Sequence, residues 1–188
     1  MKYLVAGLGN MGAEYASSRH NIGFAVVDAY ARDAGVAFEP KRYADKTELR
    51  YKGRILVLIK PSTYMNLSGR AIRYWLKKEN ISPEHLLVIV DDIALPLGQL
   101  RMKMKGGDGG HNGLASIIEF LETEEFTRLR FGIGGEFPRG YQVDFVLGEW
   151  TPEEKELFAP RIPVAIEMIK SFVTQGPEKT MTEYNNKY

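Results

Sequence analysis

Two kinds of hydrophobic pattern alternate along the chain. Residues 2–7 (KYLVAG), 54–60 (RILVLIK) and 85–91 (HLLVIVD) are short, nearly continuous apolar runs. Runs of that length predict strands, and the unbroken one at 85–91 predicts burial on both faces, as in a parallel sheet. Between them the apolar positions recur at helical spacing. Over 21–34, the side chains of Ile22, Val26, Val27, Tyr30 and Ala31 share one side of a helix. Further helices are expected over 68–78 and 113–122, and a further strand over 127–134 (TRLRFGIG). Thr151 and the Pro-Glu-Glu after it supply a cap, a first-turn proline and a capping-box acid. The stripe Ile162, Ile166, Ile169 and Val173 continues that helix, with a break or kink expected at Pro160 and Pro163. From Gly176 the chain is polar and is expected to form a loosely held tail.

The short interval between 47–52 and 54–60, with Lys52 and Gly53 between them, predicts an antiparallel hairpin. No repeat, low-complexity stretch or linker divides the chain. The pattern therefore predicts an α/β fold: one domain over 1–188, with a twisted, mostly parallel mixed sheet flanked by helices.

Composition narrows the class without changing this picture. The chain has 188 residues, 44% hydrophobic and 26% charged, ordinary values for a soluble domain. No apolar run approaches the ~20 residues of a membrane span, and no basic-then-apolar leader opens the sequence. A cytoplasmic protein away from the membrane is expected. Cysteine is absent, which removes disulfides, thiolate metal sites and cysteine nucleophiles together. Charge is uneven: residues 41–78 hold eleven Lys/Arg against Asp45 and Glu48, a net of +9, whereas 79–125 hold nine acids against Arg101, Lys103 and Lys105. A basic segment of this size suits a polyanion, or else is a solvated surface.

The first apolar run ends in GLGNMG, whose Gly7, Gly9 and Gly12 have the spacing of a dinucleotide fingerprint. That motif needs a helix opening in the glycine turn and an acid closing a second strand ~20 residues later. Here AEYASSRHNIG follows, without an apolar stripe, and Asp28 and Asp33 fall on or near the helix of 21–34. The context argues against NAD and leaves a glycine turn that presents Asn10 beyond a strand end.

Three more connections carry similar chemistry. KPSTYMNLSG (60–69) sets Tyr64, Met65 and Asn66 before a helix, where Asn66 could equally be a cap. VDDIALPLG (90–98) ends the most apolar strand in two acids, and KMKGGDGGHNG (103–113) brings His111 and Asn112 to a helix start through a run of glycines. The amides of Asn10, Asn66 and Asn112 both donate and accept, which suits an amide- or ester-bearing ligand. Of the three histidines, His85 opens a strand and reads as structural. His20 and His111 remain as acid–base candidates, with Asp91 or Asp92 as orienter. Without a G-x-S-x-G elbow or an H-E-x-x-H motif, a hydrolase built from these residues would activate water directly with histidine.

Taken in order, GLGNMGAEYASSRHNIGF, PSTYMNLSG, DDIALPLG and GGDGGHNG resemble bacterial-type peptidyl-tRNA hydrolase from Tyr3 to about Trp150. The resemblance implies a monomeric, cofactor-free enzyme that cuts the ester between a peptide and the 3′ ribose of tRNA; the absence of cysteine and of a metal-spaced His/acid set predicts that it needs no metal either. By position, His20 is then the catalytic base, Asp91 its orienter, and Asn10 the residue that tells blocked from free aminoacyl-tRNA. Tyr15, Tyr64, Asn66 and Asn112 fall on substrate-binding positions, with Met65 lining the same crevice and His111 grouped with them. Lys103 and Arg130 fall on positions that grip the terminal tRNA phosphate. Met11, Ser18 and Val90 depart from the family pattern, and Met11 is expected to loosen the glycine turn. Two other classes stay open on the residues alone: an RNA-binding module with an incidental histidine, and a nucleotide-dependent oxidoreductase.

Overall fold

A computed structural model describes residues 1–187; Tyr188 lies outside the described residues. Seven strands form one sheet in the order β2-β3-β4-β1-β5-β7-β6. Its centre is parallel: β1 (Lys2–Gly7) lies between β4 (Arg54–Pro61) and β5 (Leu86–Asp92), and β5 pairs with β7 (Thr127–Gly132). Both margins are antiparallel. β2 (Glu39–Lys41) and β3 (Ala44–Tyr51) extend the β4 side, and β6 (Leu100–Lys103) closes the β7 side. The expected hairpin is β3–β4, turning through Lys52 and Gly53, both at positive φ.

The apolar runs are buried on both faces because residues of opposite parity feed two cores. Tyr3, Val5, Leu58, Leu87 and Ile89 pack under α1 (Ile22–Asp33) and α6 (Arg161–Gln175). Leu4, Ala6, Val57, Ile59, Leu86 and Val88 pack under α2 (Ser68–Lys78) and α3 (Asn112–Leu121). Val90 joins the second core, so its departure from the family pattern is absorbed by packing. Met11 is exposed, and Gly12 after it turns at φ 111°.

The glycines of GLGNMG serve this packing. A Cβ on Gly7 would lie 2.2 Å from the carbonyl oxygen of Gly23, so β1 and α1 touch backbone to backbone. Helix α1 opens only at Ile22, after short 3₁₀ turns at Ala13–Tyr15 and Arg19–Asn21, so it does not open within the glycine turn itself, as a dinucleotide fingerprint requires. The dinucleotide architecture is absent.

The helix breaks at Pro160 as expected: α5 (Pro152–Phe158) ends before it, α6 begins at Arg161, and the stripe over 162–173 lies wholly in α6. Two expectations need correction. Pro163 neither breaks nor kinks the chain, because it sits in the first turn of α6, where no amide donor is needed. The segment from Gly176 is not loosely held over its described residues. It forms α7 (Pro177–Tyr184), with Thr180 buried and bonded to Ser171 at 2.7 Å. Asn185 then accepts from the Met102 amide at 2.8 Å and donates to its carbonyl at 2.9 Å, pairing the outer edge of β6. Polar composition concealed this because the docking groups are themselves polar. Helix α4 (Gln142–Leu147), which buries no residue, and the short margins β2 and β6 were not expected from the sequence.

Candidate active site

The chemistry-bearing loops leave the carboxyl ends of neighbouring parallel strands β1 and β5, where open α/β sheets bind ligands. β1 hands the chain to the loop that carries Asn10 and His20. β5 ends in Asp91 and Asp92, and the glycine-rich loop after β6 enters α3 at His111.

Asp91, 4% exposed, is the centre of the arrangement. His20 Nδ1 lies 2.9 and 2.8 Å from its two oxygens, and His111 Nε2 lies 2.9 Å from Oδ1. Burial alone pushes this carboxyl up, but the charge and hydrogen bonds of His111 and His20 outweigh burial and hold it at about 2. An ionised carboxylate only accepts, so the facing ring nitrogens carry the protons.

The two imidazoles are nevertheless not equivalent. His111 caps α3, its Nδ1 accepting the amides of Gly113 (3.0 Å) and Leu114 (3.3 Å). Both of its nitrogens are therefore spent. His20 has only Nδ1 engaged, which leaves the lone pair of Nε2 for chemistry. Among the described residues no group is bonded to it.

Asp92 has a different task. Its Oδ2 accepts from Arg130 Nε at 2.6 Å and its Oδ1 from the Ala94 amide at 2.8 Å. The two acids thus differ in partners: Asp91 meets two imidazoles and Asp92 a guanidinium.

His20, Asp91, His111, Asn112, Lys103 and Arg130 line one cavity of about 330 Å³. Asn10 lies behind His20, on a separate, larger cleft of about 810 Å³ along α1. It is held there by Asn21: the Asn10 amide donates to Asn21 Oδ1 (2.8 Å) and Asn21 Nδ2 donates to the Asn10 carbonyl (2.9 Å). Asn10 Oδ1 also accepts from the Met65 amide at 3.0 Å, tying the β1 loop to the β4 loop. Met65 is buried at this junction. Tyr64 and Asn66 are exposed and Tyr15 half-buried, none lining the cavity around His20. The amide trio is therefore not gathered in one pocket: Asn112 lines the cavity around His20, Asn10 the larger cleft, and Asn66 neither.

Sequence reasoning missed Asn21, whose signal lay in its place between His20 and the helix start, and it missed the wall that Gln142, Val143 and Val146 of α4 give the cavity. It also saw no clustered metal ligands, because His20, Asp91 and His111 are remote in sequence. Their ligand atoms lie within 4.8 Å of one another. Each is already engaged in the hydrogen bonds above, so a cation there would have to displace two of them. His85 stacks on Tyr3 with ring centroids 4.5 Å apart, a structural role as expected.

Fold and cluster together define an α/β protein with an acid–base site, a carboxylate shared by two imidazoles, at the strand ends. Residues 4–188 match the family described as peptidyl-tRNA hydrolase. The chain is 54% identical over 187 residues to a peptidyl-tRNA hydrolase of Phocaeicola vulgatus, covering 100% of both. It is 56% identical over 185 residues to that of Azobacteroides pseudotrichonymphae, covering 98% of this chain and 100% of the relative. The crystal structure of peptidyl-tRNA hydrolase from Acinetobacter baumannii superposes with a TM-score of 0.92 at 33% identity, covering 98% of this chain and 94% of that one. The chain belongs to the peptidyl-tRNA hydrolase family.

Proposed function

We propose that this chain hydrolyses the ester between a peptide, or an N-blocked amino acid, and the 3′ ribose of tRNA, with His20 as general base. The observation that carries the reading is the asymmetry of the two imidazoles around Asp91. His111 is consumed at both nitrogens, and His20 keeps one lone pair beside the cavity. Water attacks the ester carbonyl carbon while His20 Nε2 takes its proton. The carbonyl π electrons move to oxygen, and amide donors such as Asn112 Nδ2 stabilise the oxyanion. Collapse breaks the bond to the 3′ oxygen, which leaves with the proton now on His20. The products are a peptide carboxylate and a free 3′ hydroxyl. Asp91 keeps the His20 ring turned and favours the imidazolium formed in the transition state.

Lys103 and Arg130 supply positive charge at the same cavity and fit a terminal phosphate, although Asp92 already holds one face of the Arg130 fork. Phosphate contacts give affinity without base reading, as a substrate class of many tRNAs requires. Tyr15, Tyr64, Met65 and Asn66 fit the path of the peptide, and Asn10 the amide next to the ester. In this reading the enzyme acts as a monomer in the cytoplasm, as the family resemblance implies; among the described residues no helix is long and apolar enough to cross a membrane. The test is release of N-acetyl-aminoacyl groups from tRNA by the wild-type chain and by His20→Ala. Turnover lost in a folded His20→Ala protein is expected; RNA binding without turnover in the wild type would leave only a binding module.

A further inference from the structure

Arg19, the neighbour of His20, makes more contacts to the C-terminal half than any catalytic reading of the site requires. Its Nη2 and Nε donate to the two oxygens of Glu154 at 2.7 and 3.3 Å, and its Nη1 donates to the carbonyl of Phe145 at 3.0 Å. Its guanidinium carbon lies 4.4 Å from the centre of the Phe145 ring and 5.6 Å from that of Trp150. Its backbone amide donates to the Gly148 carbonyl at 3.0 Å, and the adjacent Ser18 forms a β-bridge with Glu149. A Cβ on Gly148 would come 2.7 Å from Nη1, so the guanidinium fills the space that glycine leaves.

What this hub holds is α4. That helix has no fully buried residue: Phe145 and Val146 pack partly buried against the core, while Tyr141 and Val143 are exposed, so core contact fixes it at only two side chains. Yet Gln142, Val143 and Val146 form a wall of the cavity that contains His20, Asp91 and Asn112. A six-residue surface helix with so little core contact needs another anchor if it is to define a pocket. The anchor found here is a fork on Glu154, itself fixed by the capping box of α5.

We propose that Arg19 is a positioning residue for the reaction: it latches the α4 wall to the turn that carries His20, so that the wall meets the substrate in register with the base. The inference rests on the hydrolase reading and adds to it a residue that touches neither water nor ester. It separates two roles within one motif: His20 does the chemistry, and Arg19 sets the shape of the pocket around it.

The test compares Arg19→Lys, which keeps the charge but loses the fork, with Glu154→Gln, which keeps an oxygen for the Thr151 amide. Steady-state hydrolysis of N-acetyl-aminoacyl-tRNA should show KM raised about tenfold in each, the scale of losing a charge-assisted bond in a half-buried pair. The kcat should stay within about threefold and the acid limb of kcat/KM should not move, since His20 and Asp91 are untouched. The double variant should be no worse than the poorer single, because both remove one latch. Hydrogen exchange of the amides over 141–150 should rise in step with KM. If Arg19→Lys does not fold, Glu154→Gln, at a partly exposed side chain, carries the test alone.

Unchanged KM in folded, active variants overturns the proposal, as does a fall in kcat at constant KM, which would make Arg19 a support of His20 only. A wild-type chain that releases nothing from blocked aminoacyl-tRNA is a different result. It defeats the hydrolase reading itself.

Discussion

Replacing Asp91 by Asn removes the shared charge while keeping shape, and the structure dictates how the new amide must sit. His111 can only donate from Nε2, because its Nδ1 accepts two backbone amides. The asparagine oxygen must therefore take the Oδ1 place, which also receives His20 Nδ1 at 2.9 Å. The amide nitrogen then occupies the Oδ2 place, 2.8 Å from a ring nitrogen that carries a proton. Two donors face one another there, so the His20 ring keeps one bond of two and turns away from its present setting. The lost carboxylate also ceases to favour imidazolium. A unit charge about 4 Å away is worth ~4 kcal/mol at an effective dielectric of about 20, an upper limit for the real change.

The acid limb of kcat should consequently move to lower pH. The plateau rate should fall about 10- to 100-fold, less than the ~10²–10⁴-fold cost of removing the base in His20→Ala. With the wild-type carboxyl at about 2, Asp91 does not titrate between pH 5 and 8, so a limb in that interval reports an imidazole. Single-turnover hydrolysis of N-acetyl-aminoacyl-tRNA across that range, with folding checked by circular dichroism, gives both quantities. The double variant should be no slower than His20→Ala, because Asp91 acts through His20. An unmoved or upward-shifted limb in Asp91→Asn, or fully additive losses, would refute the coupling.

Exhaustive chelation of the protein should leave turnover unchanged, with tRNA folded in magnesium held constant; a loss restored only by zinc would mean that the His20–Asp91–His111 cluster works as a metal site. Lys103→Ala should raise KM for tRNA substrates and flatten its salt dependence, with little effect on a nucleoside ester lacking the terminal phosphate. Arg130→Ala should do so more weakly, since Asp92 competes for its fork; equal losses on both substrates would mark these residues as structural. Asn10→Ala should erode the preference for blocked over free aminoacyl-tRNA, read as the ratio of the two kcat/KM values; a common fall in both rates would confine Asn10 to shaping the turn. For stability, the folded Asp91 value of about 2 lies below the unfolded ~3.9, so the unfolded chain binds more protons between them. The stabilisation is present above pH ~4 and is lost as pH falls toward 2, and urea midpoints of Asp91→Asn should show a shallower dependence in that window.

What was legible in the sequence followed from local signals. The runs containing Leu4, Val57 and Val88 gave the parallel centre of the sheet, and Thr151 with Glu154 formed the capping box that their spacing foretold. The loop motifs led to His20, Asp91 and Asn112 because glycines and polar residues at strand ends have few other reasons to be there. What escaped depended on contacts without local pattern. β6 has four residues, too short for alternation to register. Helix α4 has only six residues, too few for its apolar positions to register as a helical stripe, and much of what holds it is Arg19, distant in sequence. The docking of Asn185 on Met102 is a pair of polar bonds across 83 positions, which no window of sequence contains. The double duty of His111 required knowing that its Nδ1 faces two amides, a fact of helix geometry and not of spacing.

The ring of hydrogen bonds that joins Asn10, Asn21 and Met65 has a bearing on how the enzyme treats diverse peptides. Two bonds hold Asn10 to Asn21 and a third ties it to Met65 of the β4 loop, so the Asn10 side chain is fixed with its Nδ2 left over. The conformational entropy of ordering that donor is spent during folding, at a position where 9% exposure leaves little room for rearrangement. A ligand amide meeting it loses only its own freedom. Affinity for the one feature common to every peptide, its backbone, then needs no adjustment to particular side chains. Tolerance of sequence, in such a site, comes from rigidity.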